Sequence, residues 1–275
     1  MDANSGPPED PAAEPTQAEF DFDEGFIPPD PNEPPPVELW SAVGEVRPWG
    51  TALLLLSWAA VFLLLAARHG LEDGDTLLAW GANATQRDPL DVPWRLLAST
   101  FLHAGPAHVF FNATSMLIFG PAVERVFTRW GFWIVYAFGG AAASLASLLW
   151  RDGHLGSATL SIGASGAIFA LGGALLVGAV RLRSRLAVGR ARALGAALFY
   201  LVATGFAAGF TNNGTDNSAH TAGLLSGALL GGLLGISPRL GGASTGAATR
   251  ILSMLSVAAL VAALVLALAH GLARP

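Results

Sequence analysis

Residues 218–236 read SAHTAGLLSGALLGGLLGI, and this stretch decides the fold. It is apolar almost throughout, and Gly223, Gly227, Gly231 and Gly235 recur at every fourth position. On an α-helix that spacing stacks the small residues into one smooth ridge. In lipid, apolar burial gives no drive for helices to associate, so such ridges matter because they let two backbones approach closely. A second apolar stretch, 163–180, carries Gly166, Ala170, Ala174 and Gly178 at the same spacing. Two matching ridges predict that these helices pack on each other. Near the start of each lies a polar side chain: Ser165 between Gly163 and Gly166 in one, and His220, flanked by Ser218 and Thr221, in the other. Packing in register brings that hydroxyl and that imidazole together.

Five more apolar segments accompany these two, at 51–67, 107–123, 130–150, 193–210 and 251–269. The 275 residues are 52% hydrophobic and 13% charged, far from the quarter of charged residues usual in soluble domains. Over spans of this length and composition only helices satisfy the backbone in lipid, so an all-α polytopic bundle is expected. Residues 1–46 hold 12 of the 20 acidic residues, with proline runs such as Pro34-Pro35-Pro36. Too little apolar surface is present there to offset ordering, and a disordered cytoplasmic tail is expected. It has no basic segment leading into an apolar run and does not read as a signal peptide. Residues 237–250 are rich in Gly, Ala, Ser and Thr and read as a flexible linker to a seventh span in 251–275. The absence of cysteine excludes disulfides and thiolate metal sites. No basic, aromatic-interleaved patch suggests nucleic acid.

Arginine supplies all 15 basic residues. With the N-terminus cytoplasmic, ten lie on the cytoplasmic side and five opposite, as the positive-inside rule requires. Ser165 and His220 then both open their spans from the outer face.

A serine hydroxyl becomes a nucleophile when a base takes its proton, and histidine is the usual base. Ser165 and His220 can fill those roles. Phe169 lies one turn below Ser165 on the same helix face, where a ring can stack on the imidazole. On the 107–123 span, His108 and Asn112 are four residues apart and share a face, with His103 just upstream. Both can donate hydrogen bonds to a developing oxyanion. A metal reading ranks lower, because no His-Glu-x-x-His spacing occurs and no carboxylate shares the face. Asp216, four residues before His220, invites a triad reading or that of a loop-end or helix-start carboxylate. His69, His154 and His270 fall in loops or at helix ends and read as incidental.

These residues resemble the rhomboid family of intramembrane serine proteases. The resemblance runs over 80–235: Trp80-Gly81-Ala82-Asn83, Trp94-Arg95, His103 with His108 and Asn112, Gly120-Pro121-Ala122-Val123-Glu124-Arg125, Gly163-Ala164-Ser165-Gly166, and Ala219-His220 with Gly223 and Gly227. It implies a six-helix catalytic core over 47–236, with the seventh helix outside it. It also implies a Ser165–His220 dyad with Ser165 as nucleophile and His220 as general base. The oxyanion hole is assigned to His108, Asn112 and the Ser165 backbone N–H. Trp94 and Arg95 belong to a first loop lying partly in the outer leaflet. Residues 210–217 are expected to cap the site, and spans two and five to admit substrate. Transmembrane protein helices are the implied substrates, and no cofactor or metal is needed. The implied setting is a bacterial plasma membrane, with the lipid bilayer as partner, no nucleic acid, and the oligomeric state open. The alternative is a catalytically silent rhomboid-like protein that binds transmembrane clients.

Overall fold

The computed structural model describes residues 47–85, 91–154, 159–183, 188–211 and 216–273. The expected acidic tail, 1–46, and residues 212–215 of the expected cap lie outside these. Eight α-helices form among the described residues: α1 (Trp49–Ala67), α2 (Gly74–Ala79), α3 (Arg95–Ala98), α4 (Pro106–His154), α5 (Ser165–Arg181), α6 (Val188–Thr211), α7 (Asn217–Leu233) and α8 (Ala247–Leu272). One feature is not helical. β1 (Asn83–Ala84) pairs antiparallel with β2 (Leu160–Ser161), with Asn83 opposite Ser161.

Among the described residues, three helices are long and apolar enough to cross a membrane: Trp49–Ala67, Pro106–Arg151 and Ala247–Leu272. Ser165–Arg181 and Gly195–Gly205 are shorter apolar helices. The expected second and third spans are not separated by a loop. They form the two halves of α4, broken at Thr128, whose φ of 65° and ψ of 167° leave the helical region. A positive φ at a β-branched residue is strained. Thr128 Oγ1 offsets part of that cost by accepting from the Trp130 N–H at 3.3 Å, as an N-cap does. The chain reverses there. Down the first half, His108 lies by Gly163 and Val126 by Gly178; back up the second, Gly139 faces Ala170 and Ala143 faces Gly166.

α5 and α7 run parallel and meet as the sequence spacing predicts over three of the four steps. A β-carbon added at Gly223 would strike the Gly166 carbonyl, and one at Gly227 the Ala170 carbonyl. One at Gly231 would sit 2.8 Å from Ala174 Cα. The fourth pair does not form. α7 ends at Leu233, so Gly235 has open space, while Gly178 packs on Val126 and Phe127 of α4. Below the third step, Arg181 Nη1 donates to the carbonyls of Gly231 (2.8 Å) and Leu234 (2.6 Å), which satisfies α7's last turn.

Two further contacts hold the periphery. Glu124, buried in α4, accepts from the N–H groups of Gly50 (3.2 Å) and Thr51 (2.8 Å) and from the Thr51 hydroxyl (2.8 Å). It thus supplies the acceptor that α1's first turn lacks. At the other end α8 closes over the first loop: Gly271 faces the Trp80 indole, and His270 stacks on Trp94 with centroids 5.3 Å apart. His270 is therefore a packing residue, not an incidental one. Outward, Leu56, Phe199, Leu229 and Leu233 are each more than 60% exposed, the apolar exterior a lipid-facing bundle needs.

Candidate active site

Ser165 is the first residue of α5. The first N–H groups of a helix have no intrahelical acceptor, so its own N–H and those of the next residues are directed out of the helix start. Just before it, Gly163 has φ +118°, a conformation open to glycine at no steric cost. Its N–H donates to the Ser99 carbonyl at 2.9 Å, which fixes the approach to the helix.

His220 lies in the first turn of α7 and is 3% exposed. Its Nε2 is 2.9 Å from Ser165 Oγ. The Phe169 ring lies against the imidazole, centroids 4.2 Å apart and planes within 5°. For Nε2 to accept the hydroxyl proton, the ring must carry its own proton on Nδ1. That atom faces α6, near Gly205, where an added β-carbon would sit 3.6 Å from it.

His108 and Asn112 converge on Gly163. A β-carbon at that glycine would lie 2.7 Å from His108 Nε2 and 3.8 Å from Asn112 Nδ2. The Ala104 N–H points to His108 Nδ1 at 3.4 Å, so the neutral ring holds its proton on Nε2, the nitrogen facing the site. Asn112 is 6% exposed, and its buried Nδ2 has no hydrogen-bond acceptor among the described residues. A buried amide donor without an acceptor is costly, and such groups call for a functional account. Two donors therefore aim at one small volume beside the serine, and the glycine keeps that volume open.

His103 is fully buried between the rings of Trp58 and His108, at centroid distances of 5.3 and 5.1 Å. Burial, with His108 beside it, pushes its pKa down to about 3 against a smaller upward pull from the Phe101 backbone. It is a neutral ring that backs His108 and does not itself reach Gly163. Among the described residues no group of three His, Asp or Glu could hold a metal ion.

Trp94 and Arg95 stand outside the dyad, in the first loop. Arg95 Nη1 donates to the Ala82 carbonyl at 2.9 Å, and its guanidinium sits 5.3 Å from the Trp94 ring centroid. Gly81, at φ +98°, receives the Trp94 indole edge. These contacts shape the loop that enters β1.

Asp216 is the N-cap of α7, accepting from the N–H groups of Ser218 and Ala219, both at 3.1 Å. It also pairs with Arg151 Nε at 3.0 Å and accepts from the hydroxyls of Ser147 and Ser218. Burial pushes this carboxyl up, but the two hydroxyls, Arg151 and the Ala219 N–H together outweigh it and hold the pKa below its ordinary value. The carboxylate thus fastens the turn bearing His220 to the second half of α4. Ser147, Arg151 and Gly205 escape sequence reading because their partners are distant in the chain.

Residues 91–237, just over half of the chain, match the family described as Rhomboid domain. The chain is 36% identical over 130 residues to Rhomboid protease GluP of Bacillus subtilis (strain 168), covering 47% of this chain and 24% of that protein. It is 37% identical over 83 residues to Putative rhomboid protease YdcA of the same organism, 30% of this chain and 40% of that one. RHOMBOID-like protein 1 of Arabidopsis thaliana is 39% identical over 83 residues, 20% of its length. The chain thus spans between a fifth and two fifths of these relatives.

Proposed function

The chain belongs to the rhomboid family, and on that premise we propose that it is an intramembrane serine endopeptidase. The observation that carries this reading is the 2.9 Å contact between Ser165 Oγ and His220 Nε2, set beside two donors that converge on Gly163. His220 takes the hydroxyl proton as Ser165 attacks the scissile carbonyl carbon. The carbonyl oxygen gains negative charge and is received by Asn112 Nδ2, His108 Nε2 and the Ser165 N–H. The imidazolium then gives its proton to the leaving amine, and the acyl group stays on Ser165. Water, deprotonated by the same histidine, releases the acid and restores the serine. Every step uses groups of this chain, the substrate and water. The intact dyad argues against a silent client-binding protein.

The substrates are helices of other membrane proteins, cut where the helix is weak enough to yield an extended bond. Six spans form the catalytic core, with α8 as a seventh, in a bacterial plasma membrane. The N-terminus is cytoplasmic and the dyad opens toward the outer face. The test is a reporter substrate with one span, together with a fluorophosphonate probe that labels activated serines. Wild type cleaves and labels; Ser165→Ala and His220→Ala lose both at unchanged expression. Cleavage retained by Ser165→Ala would exclude the assignment.

A further inference from the structure

A cavity of about 710 Å³ opens at the end of the bundle opposite Ser165. It lies where α1 begins, where α4 reverses at Thr128, and where the chain passes from α7 into α8. Five arginines line it: Arg47, Arg125, Arg129, Arg239 and Arg250. Glu124 is the one carboxylate among the described lining residues. Its oxygens are already engaged by Gly50 and Thr51. Among the described lining residues positive charge therefore predominates, and it comes from three separate parts of the chain. Arg129 and Arg250 are exposed at its rim, as is Arg239. Arg129 stands 4.8 Å from the Trp130 ring centroid, a cation–π contact that holds its guanidinium at the rim. Ser244 and Thr245 add hydroxyls beside the start of α8, whose N-cap, Gly246, offers no side-chain acceptor.

We propose that this cavity binds a phosphate-bearing anion, the headgroup of an acidic phospholipid in the leaflet that meets this end of the bundle. Guanidinium forks match phosphate oxygens bidentately. A helix start with uncapped N–H groups adds favourable potential for an anion. The volume falls within the ordinary range of ligand sites, about 300–1,000 Å³. Basic pockets between spans at a membrane face are the expected docking places for anionic headgroups. Tryptophans at the mouth, Trp49 and Trp130, suit the headgroup level. The inference rests on the membrane-spanning reading of the bundle and not on its catalysis.

The test uses the full chain, purified in neutral detergent and analysed by native mass spectrometry and thermal melting. Phosphatidylglycerol and phosphatidylcholine are added separately, with inorganic phosphate as a third arm. Retention of phosphatidylglycerol over phosphatidylcholine, with a matching rise in melting temperature, is expected. Substituting Arg129, Arg239 and Arg250 together by Gln should weaken that retention by about 100-fold, from roughly fivefold per basic group near the anion. The triple Arg→Lys variant should keep most of the preference, which separates lost charge from lost fold. Inorganic phosphate that competes fully at millimolar concentration would reassign the site to a free phosphate and overturn the lipid source. Equal retention of both lipids, or a triple Gln variant that binds as wild type does, would overturn the proposal. Fluorophosphonate labelling of Ser165 should persist in the triple variant whichever way the lipid result falls.

Discussion

α5 meets two of its neighbours, α7 and α6, in different ways. Against α7 it meets backbone to backbone: Gly223 and Gly227 abut the carbonyls of Gly166 and Ala170, and Gly173 abuts that of Leu224. Against α6 it meets through side chains: Gly172 receives Leu201 and Leu198, and Gly205 of α6 receives the Phe169 ring. α6 also turns Phe199 and Tyr200 outward, at 73% and 61% exposure. Backbone contacts leave no rotamer that could absorb a shift, whereas side-chain contacts can re-pack. Ser165 and His220 therefore sit on the seam that cannot slide. The helix covering Nδ1 of His220 sits on the seam that can.

The largest effect should come from wedging the tight seam. Gly227→Val places a branched side chain where the Ala170 carbonyl now lies. A loss of about 3 kcal/mol or more is expected, the upper range for overpacking. Ser165 and His220 would also part, so fluorophosphonate labelling should vanish. Thermal melting and labelling in one preparation check both. A variant that melts and labels as wild type would show that the seam is not rigid.

Next comes a change that touches neither seam. Asn112→Ala removes a donor whose only described neighbour in the site is the space beside Gly163. Turnover should fall about 10²–10³-fold, the usual cost of one oxyanion donor. The melting temperature should stay put or rise, since a buried unpartnered amide is removed. A fall in melting temperature equal to that of Gly227→Val would make Asn112 structural.

Asp216 holds the top of the tight seam, and its titration gives a pH test. Its folded pKa is depressed, with burial opposing and the Ser147 and Ser218 hydroxyls and Arg151 prevailing. A depressed carboxylate contributes stability that is complete above its ordinary value of 3.8 and is lost as pH falls through the lower folded value. Asp216→Asn should therefore cost about 1–2 kcal/mol at neutral pH, from the cap and the charged hydrogen bonds. Its melting curve should begin to approach that of wild type below pH ~4 and meet it once the pH has fallen through the depressed folded value. Melting curves that stay parallel down to acid pH would remove Asp216 from the fastening of α7.

The contrast between the seams also explains what the sequence could disclose. Small residues four apart announce a tight helix pair, because the signal is periodic and both partners carry it. That is why Gly166, Ala170 and Ala174 could be matched to Gly223, Gly227 and Gly231. The ridge spacing continues one step beyond the contact, to Gly178 and Gly235, because it does not mark where α7 ends. The reversal at Thr128 carries no glycine or proline, so two spans read as separated by an ordinary loop. The pairing of Asp216 with Arg151 and Ser147, and of His270 with Trp94, joins residues about 65 to 180 apart, for which local periodicity has no signal. The β1–β2 ladder is two residues long and too short for alternation to show. Ser165 and His220 stood out for a different reason, as polar groups at the heads of two helices whose register was already set.

The smallest expected effect bears most directly on the comparison. Gly205→Ala adds one β-carbon on α6, 2.5 Å from the Phe169 ring edge and 3.6 Å from His220 Nδ1. That is as crowded on paper as several positions of the tight seam. The atoms it meets are the rim of a ring rather than a carbonyl, however, and α6 turns Phe199 and Tyr200 outward on its other side. If α6 yields, melting should change by about 1 kcal/mol or less, near the low end of overpacking costs. His220 would keep its contact with Ser165, and labelling would change only a few-fold. Gly227→Ala supplies the control, since the same single carbon there meets the Ala170 backbone. Equal losses from the two alanines would mean that α6 is held as firmly as α7, and the distinction between a fixed and a yielding wall would fail. A large loss at residue 227 with a small one at 205 would place the compliance of the site on α6, the side toward which the base carries its second nitrogen.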